Sequence, residues 1–366
     1  MQQKPSGSLS PTATVEQQVD GNQGQVIGQM TGGQVISVRE GGYFVAGNVI
    51  YQNSRLDVTP SLSPRRELPS LLPYLANRVD QEFELGKTFQ TFLKQNPLCP
   101  LVCIIHGDES QSHDKFLERL QKLTLPRLLK LDPRQTKIKE YPLNWSPGTE
   151  SLDNLTERLC KSLADTVLGN SFASLEEINR TFCKYPDPII VHTHLLTEDW
   201  QNDPNVLNQL LEFWQNWPPL ILGQQLIICI FIKYQIKRSQ RKGFSLNMFF
   251  TCLRTFFKRN HYRRLNTLIC KRVEAISFSS GSQLNRLSLI VLPQLSSISR
   301  THVENWARSE ETKQFVGEAM VGRLMDEIGN MFDTWEEQTA SNIIPMDDLA
   351  DHLMKLLNSL VMGGVQ

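Results

Sequence analysis

The chain has no C-x-x-C pair, no net charge and no apolar run long enough to cross a membrane. Its seven cysteines (Cys99, Cys103, Cys160, Cys183, Cys229, Cys252 and Cys270) are scattered, several of them inside apolar, strand-like runs. That spacing excludes paired-cysteine zinc frameworks and a disulfide-stapled secreted scaffold, and fits reduced, buried thiols. Thirty-eight basic residues balance 38 acidic ones, so no global field draws the chain toward nucleic acid or an anionic membrane. The longest apolar run, 220–232, is broken by Gly223-Gln224-Gln225 and falls short of the ~20 residues of a spanning helix. The polar N-terminus lacks the apolar core of a secretory signal. A cytoplasmic protein without a membrane segment is expected.

Texture changes along the chain. Residues 1–20 are polar and read as a disordered leader. Residues 21–53 are Gly- and Gln-rich, and Gly24-Gln-Val-Ile, Gly33-Gln-Val-Ile and Gly47-Asn-Val-Ile repeat a short β-prone unit. Residues 54–71, with Pro60, Pro64 and Pro69, read as a linker. From 72 to 292, short apolar strands (101–105, 137–143, 188–196, 225–232) alternate with helical periodicity (72–92, from 114, 151–168, 205–214). That alternation predicts a parallel α/β sheet covered by helices on both faces. Residues 293–360 read as a helical C-terminal subdomain, with helices at 302–307, 311–335 and 346–360.

The strand 101–105 leads through His106, Gly107 and a polar loop into an amphipathic helix carrying Phe116, Leu117 and Leu120. This is the outline of a phosphate-binding loop, G-x-x-x-x-G-K-[ST], whose second Gly admits phosphate to backbone N–H groups. The loop's Lys then meets the β/γ oxygens and its hydroxyl holds Mg²⁺. Counting from Gly107, Ser112, His113 and Asp114 occupy those three places, followed by Lys115. Ser112 or Asp114 is expected to cap the helix. The outline is kept and the phosphate chemistry is lost.

Two further segments carry a resemblance. Leu75-Ala-Asn77-Arg78-Val-Asp80-Gln-Glu82 is similar to the Gly-Arg-Glu box that precedes the phosphate loop in AAA-type and STAND ATPases. Ile189-Ile-Val191-His192 stands where those enzymes carry a strand ending in two carboxylates; here His192, Thr193 and His194 occupy the place. With Leu72-Pro-Tyr-Leu75 and the segment Leu295-Ser-Ser-Ile298 to Trp306, residues 70–355 resemble the inactive STAND family of bacteria. The resemblance implies a P-loop NTPase-like fold with no catalytic residue and no cofactor. It also implies a scaffold or sensor in bacterial conflict or cell-death signalling, partnered by a protein effector or adaptor. A divergent ATPase or GTPase switch is the alternative, with Gly107, Ser112, His113, Asp114 and Lys115 as its nucleotide positions.

Three features invite sharper readings. The loop and the 189–196 strand end share one sheet edge, which brings His106, His113, His192 and His194 near Asp108, Glu109 and Asp114. Imidazole with carboxylate suits zinc; the plainer reading is polar residues that finish strands. No acidic residue lies between Phe213 and Val273, and 233–272 holds twelve Lys or Arg interleaved with aromatics. Nucleic-acid binding could use them, although a solvated face, or one paired with the acid-rich C-terminal helices, is the expectation. In the N-terminal repeats, Val26, Ile27, Val35, Ile36, Val49 and Ile50 would form the dry interface of an amyloid-type self-assembly motif. A small hairpin or docked leader is the other possibility.

Overall fold

Runs of β-branched and aliphatic residues become the buried strands of a parallel sheet, because such a sheet needs apolar side chains on both faces. The computed structural model describes residues 43–45, 48–50, 69–95, 98–132, 137–144, 155–202, 205–236, 248–279 and 287–363. The chain divides into two units, Met1–Arg65 and Arg66–Gln366. In the first, β1 (Tyr43–Val45) pairs antiparallel with β2 (Asn48–Ile50), Phe44 opposite Val49. Val49 and Ile50 of the third repeat therefore sit on a strand. Val26, Ile27, Val35 and Ile36 lie outside the described residues.

The second unit opens with a 3₁₀ turn, Leu72–Leu75, then α1 (Val79–Gln95) and β3 (Leu101–Asp108). Next, α2 (His113–Arg119) runs through a π-helical stretch, Leu120–Thr124, into α3 (Leu125–Leu129). There follow β4 (Lys139–Pro142), α4 (Leu155–Leu168), α5 (Leu175–Phe182), β5 (Ile189–Leu196), α6 (Asp199–Asn202) and α7 (Val206–Gln215). β6 (Leu226–Tyr234), α8 (Met248–Ser279) and β7 (Ser288–Val291) complete the α/β part. The helical part holds β8 (Ile298–Ser299), α9 (Arg300–Ala307), α10 (Glu310–Val316), α11 (Val321–Thr339), β9 (Ile343–Ile344) and α12 (Met346–Gly363).

The sheet order is β4-β5-β6-β3-β7, parallel throughout. The loop-bearing strand β3 therefore lies inside the sheet, between β6 and β7. Alternate residues feed opposite cores. Val102, Ile104, Val191, Ile228 and Ile230 pack with Leu159, Phe182, Leu210 and Trp214 of the helices on one face. Leu101, Cys103, Ile105, Ile190 and Phe231 pack with Leu85, Phe89, Phe116 and Leu117 on the other. Each such side chain contributes about 1.5–3 kcal/mol by leaving water.

Two expected helices are interrupted. The helix expected over 72–92 breaks at Asn77 and Arg78, whose φ values of 67° and 86° are left-handed. The one expected over 311–335 breaks at Gly317, φ 87°, where a side chain would be strained. A third core joins the 3₁₀ turn to the helical part: Leu72 and Ala76 pack with Trp306, Leu324, Ile328, Leu349 and Leu353. Trp306 Nε1 donates to the Leu72 carbonyl at 2.8 Å. This junction brings the start of α12 onto the loop after β3.

Candidate functional site, a filled nucleotide edge

Gly107 is held by packing against its own chain. A Cβ there would stand 2.7 Å from both Cβ and O of Leu295. Leu295 bridges Gly107 as a short extension beyond β7, and its N–H donates to His106 O at 2.7 Å. The loop amides are spent internally as well: Glu109 N–H donates to Tyr234 O and Gln111 N–H to Asp108 O. A phosphate cradle needs such amides free and convergent.

Ser112 keeps the left-handed backbone that a glycine would favour, at φ 53° and ψ 50°. Its expected capping bond is absent, and this corrects the sequence reading. A capping residue needs extended backbone to turn its oxygen onto the following N–H groups. Here the hydroxyl instead donates to the carboxylate of Asp347, in the first turn of α12. The Asp347 N–H donates to Ser110 O at 3.1 Å, so the helical part is tied to the loop twice.

Arg78 fills the space behind the loop. It is 2% exposed, and its Nη1 donates to Ser296 O at 2.8 Å. Its Nη2 reaches both oxygens of Gln111, backbone at 3.2 Å and side chain at 3.0 Å. Gln111, 1% exposed, passes the network on to Ser297 Oγ at 3.1 Å. Burial, then the nearby Arg119 charge, lowers the Arg78 pKa to about 10, which leaves the guanidinium charged at neutral pH. Arg119 itself forms a two-pronged pair with Glu82, both contacts 2.9 Å, and its Nη1 donates to the carbonyls of Tyr74, Leu75 and Asn77. Arg78 and Glu82 of the upstream box thus both have structural partners.

His113 is the first residue of α2. It is 1% exposed, meets Phe231 edge-on, and neither ring nitrogen has a hydrogen-bond partner among the described residues. Burial, reinforced by Lys233, His194, Arg78 and His106, pushes its pKa down to about 2, so the ring is neutral. Asp114 lies 3.2 Å from His194 Nε2 and 3.5 Å from Lys233 Nζ. Lys115 points elsewhere, to Glu118 at 2.8 Å and over the Tyr74 ring.

His192 and His194 share one face of β5, with ring centroids 5.6 Å apart. His194 stacks on Phe231 at 4.9 Å, and its pKa falls to about 4, chiefly through burial. His192 Nε2 lies 3.0 Å from Glu140 on β4. His106 points to the other face, its Nδ1 2.9 Å from the Tyr234 hydroxyl, and burial lowers its pKa. Each of these three rings thus has its own neighbour. Among the described residues no three His, Cys, Asp or Glu side chains are arranged to hold a metal ion. Between the two histidines, Thr193 donates to Leu143 O at 3.0 Å.

Sequence reasoning missed Gln111, Ser296, Ser297 and Tyr234. A lone Gln in a polar loop gives no local signal, and Ser296 and Ser297 were visible only as part of the Leu295–Ile298 segment, not as partners of Arg78 and Gln111. The last helix was legible over 346–360, and the contact of its Asp347 with Ser112 was not. Of the cations in 233–272, Arg238, Arg241 and Lys242 lie outside the described residues, as do the side chains of Lys258 and Arg259. Among the described residues no helix is long and apolar enough to cross a membrane.

No curated protein sequence matches the chain. Its structure is similar to that of Drosophila ORC bound to DNA (TM-score 0.27, 10% identity, 82% of this chain and 71% of that one). A second is the Aeropyrum pernix ORC1 protein in complex with DNA (TM-score 0.31, 12% identity, 82% and 62%). A third is domain III of the Thermotoga maritima replication initiation protein DnaA (TM-score 0.26, 12% identity, 80% and 99%). Residues 73–232 match the family model described as inactive STAND.

Proposed function

We propose that this chain is a non-catalytic, cytoplasmic STAND-type scaffold or sensor that signals through protein–protein contacts in bacterial conflict or cell death. The observation that carries the reading is the occupant of the nucleotide edge. Arg78, Gln111 and Ser296 form one buried network, and Ser112 is tied to Asp347 of α12. In a nucleotide switch the bound phosphate links loop to helical part. In this chain side chains make that link permanently, so the loop transmits force without turnover. His113 supplies no charge, and His192, Thr193 and His194 occupy the place of the paired carboxylates in the sequence reading. The N-terminal repeats, with Val26, Ile27, Val35, Ile36, Val49 and Ile50, are the natural output element, joining a protein effector or adaptor by stacking.

Calorimetric titration of the full chain with Mg²⁺-ATP and Mg²⁺-GTP tests the reading, with a metal assay on the untreated protein. No heat up to millimolar nucleotide, and no stoichiometric metal, is expected. Micromolar binding abolished by Gly107→Glu would revive the nucleotide switch, and stoichiometric zinc would make the histidines a metal centre.

A further inference from the structure

α8 packs along one side and leaves the other open. Ile269 and Val273 are buried against the sheet, with Leu265 and Cys270 partly so. Two polar side chains are anchored to the domain: Tyr262 donates to Glu198 at 3.1 Å and Arg272 to Asn205 at 2.9 Å. At 3.6 residues per turn, the exposed residues Asn260, Arg263, Arg264, Thr267, Leu268 and Lys271 share the opposite arc. Arg263, Arg264 and Lys271 have no carboxylate partner among the described residues. The acids of the C-terminal helices serve cations of their own part: Arg300 takes Glu304 and Asp333, and Lys313 takes Glu318. Glu274, one turn beyond Lys271, is the single acid of α8 and accepts from Cys270.

We infer that the exposed arc of α8 is a docking surface for double-stranded DNA, with Arg263, Arg264 and Lys271 contacting backbone phosphates. The first and last of the three cations are eight positions apart, roughly 12 Å along the helix. Arg263 and Arg264 diverge by about 100° around the axis, toward opposite groove walls, with Asn260 and Thr267 on the ridge between them. An α-helix fits the ~12 Å major groove of B-form DNA, whereas that of duplex RNA is too deep and narrow. Single strands are bound by stacking bases on aromatics, and the described part of the arc carries no exposed Phe, Tyr or Trp. An anionic membrane would require an apolar face turned outward. The apolar side of α8 faces the sheet instead, and Leu268 is the large hydrophobic residue on the open arc.

The test is fluorescence anisotropy of the full chain with a labelled 20-base-pair DNA duplex across a salt series. Single-stranded DNA, duplex RNA and phosphatidylserine vesicles form parallel arms. Duplex DNA should bind most tightly and weaken as salt rises. Arg263→Gln/Arg264→Gln/Lys271→Gln should weaken binding tenfold or more and flatten the log–log salt slope by about 3, close to one unit per lost phosphate contact. Lys87→Gln/Lys122→Gln, which removes exposed cations elsewhere, should bind as the parent does. The inference is overturned by no duplex binding at low salt, by a triple variant with unchanged affinity and slope, or by binding confined to single strands, RNA or vesicles.

Discussion

Acid should weaken this fold through a side chain that makes no hydrogen bond. His113 carries a pKa of about 2 in the folded chain and about 6.5 when unfolded. Between those values the unfolded chain binds the extra proton, so stability is full above pH ~6.5 and falls as pH drops toward 2. From pH 7.5 to pH 5.0 the loss through this ring is about 2 kcal/mol. His194, with a pKa of about 4, and His106, also lowered by burial, lose stability in the same direction. His113→Leu removes one titration and two unpartnered buried nitrogens. It should match or exceed the parent at pH 7.5 and exceed it by about 2 kcal/mol more at pH 5.0. At an m-value of about 3 kcal/mol/M, that extra difference is a urea-midpoint shift of ~0.7 M. All six tryptophans lie beyond Arg65, so their fluorescence follows the second unit. Parallel loss of stability in parent and variant would refute a buried neutral His113. Equal destabilisation at both pH values would mean that the ring is partnered.

The close approach at Gly107 makes Gly107→Ala costly: its Cβ meets backbone, which cannot swing aside, and about 2–3 kcal/mol of stability should be lost in urea melts. Arg78→Ala leaves three carbonyl acceptors in a buried loop without their donor. It should cost on the order of 3–5 kcal/mol without creating nucleotide binding, because His113 and Thr193 remain; gain of Mg²⁺-ATP binding in calorimetry would contradict this. Asp347→Ala frees Ser112 from α12 and should cost about 1–2 kcal/mol. Its signature is faster hydrogen exchange at the start of α12 while exchange in β3 stays unchanged. Val49→Lys with Ile50→Lys should abolish any thioflavin-positive assembly of the full chain; persistent assembly would remove these residues from the interface.

Sheet and helices were legible because their cause is local. A run such as 226–234 is apolar on every residue but Lys233, and a strand buried on both faces demands that. The breaks were less so. Asn77-Arg78 sits inside unbroken helical periodicity, and its left-handed turn exists because Arg78 must reach Gln111 and Ser296 on distant segments. The network that holds the loop after β3 was not legible. Gln111, Ser296 and Asp347 act together through contacts across 33 to 235 positions of sequence, and no window of neighbouring residues records such a contact.

Gly107 shows how one residue can satisfy both readings. The count along the sequence reads it as the first glycine of a phosphate-loop outline; by packing it is the position where Leu295 passes too close for a Cβ. The packing reason is enough to account for it, so its presence says nothing for nucleotide binding. Ser112 argues the same way from the other side. A side chain is tolerated in left-handed backbone, at a strain of about 1 kcal/mol, where its hydroxyl gains a charged partner in Asp347. A glycine there would ease the backbone and lose the bond that ties α12 to this loop.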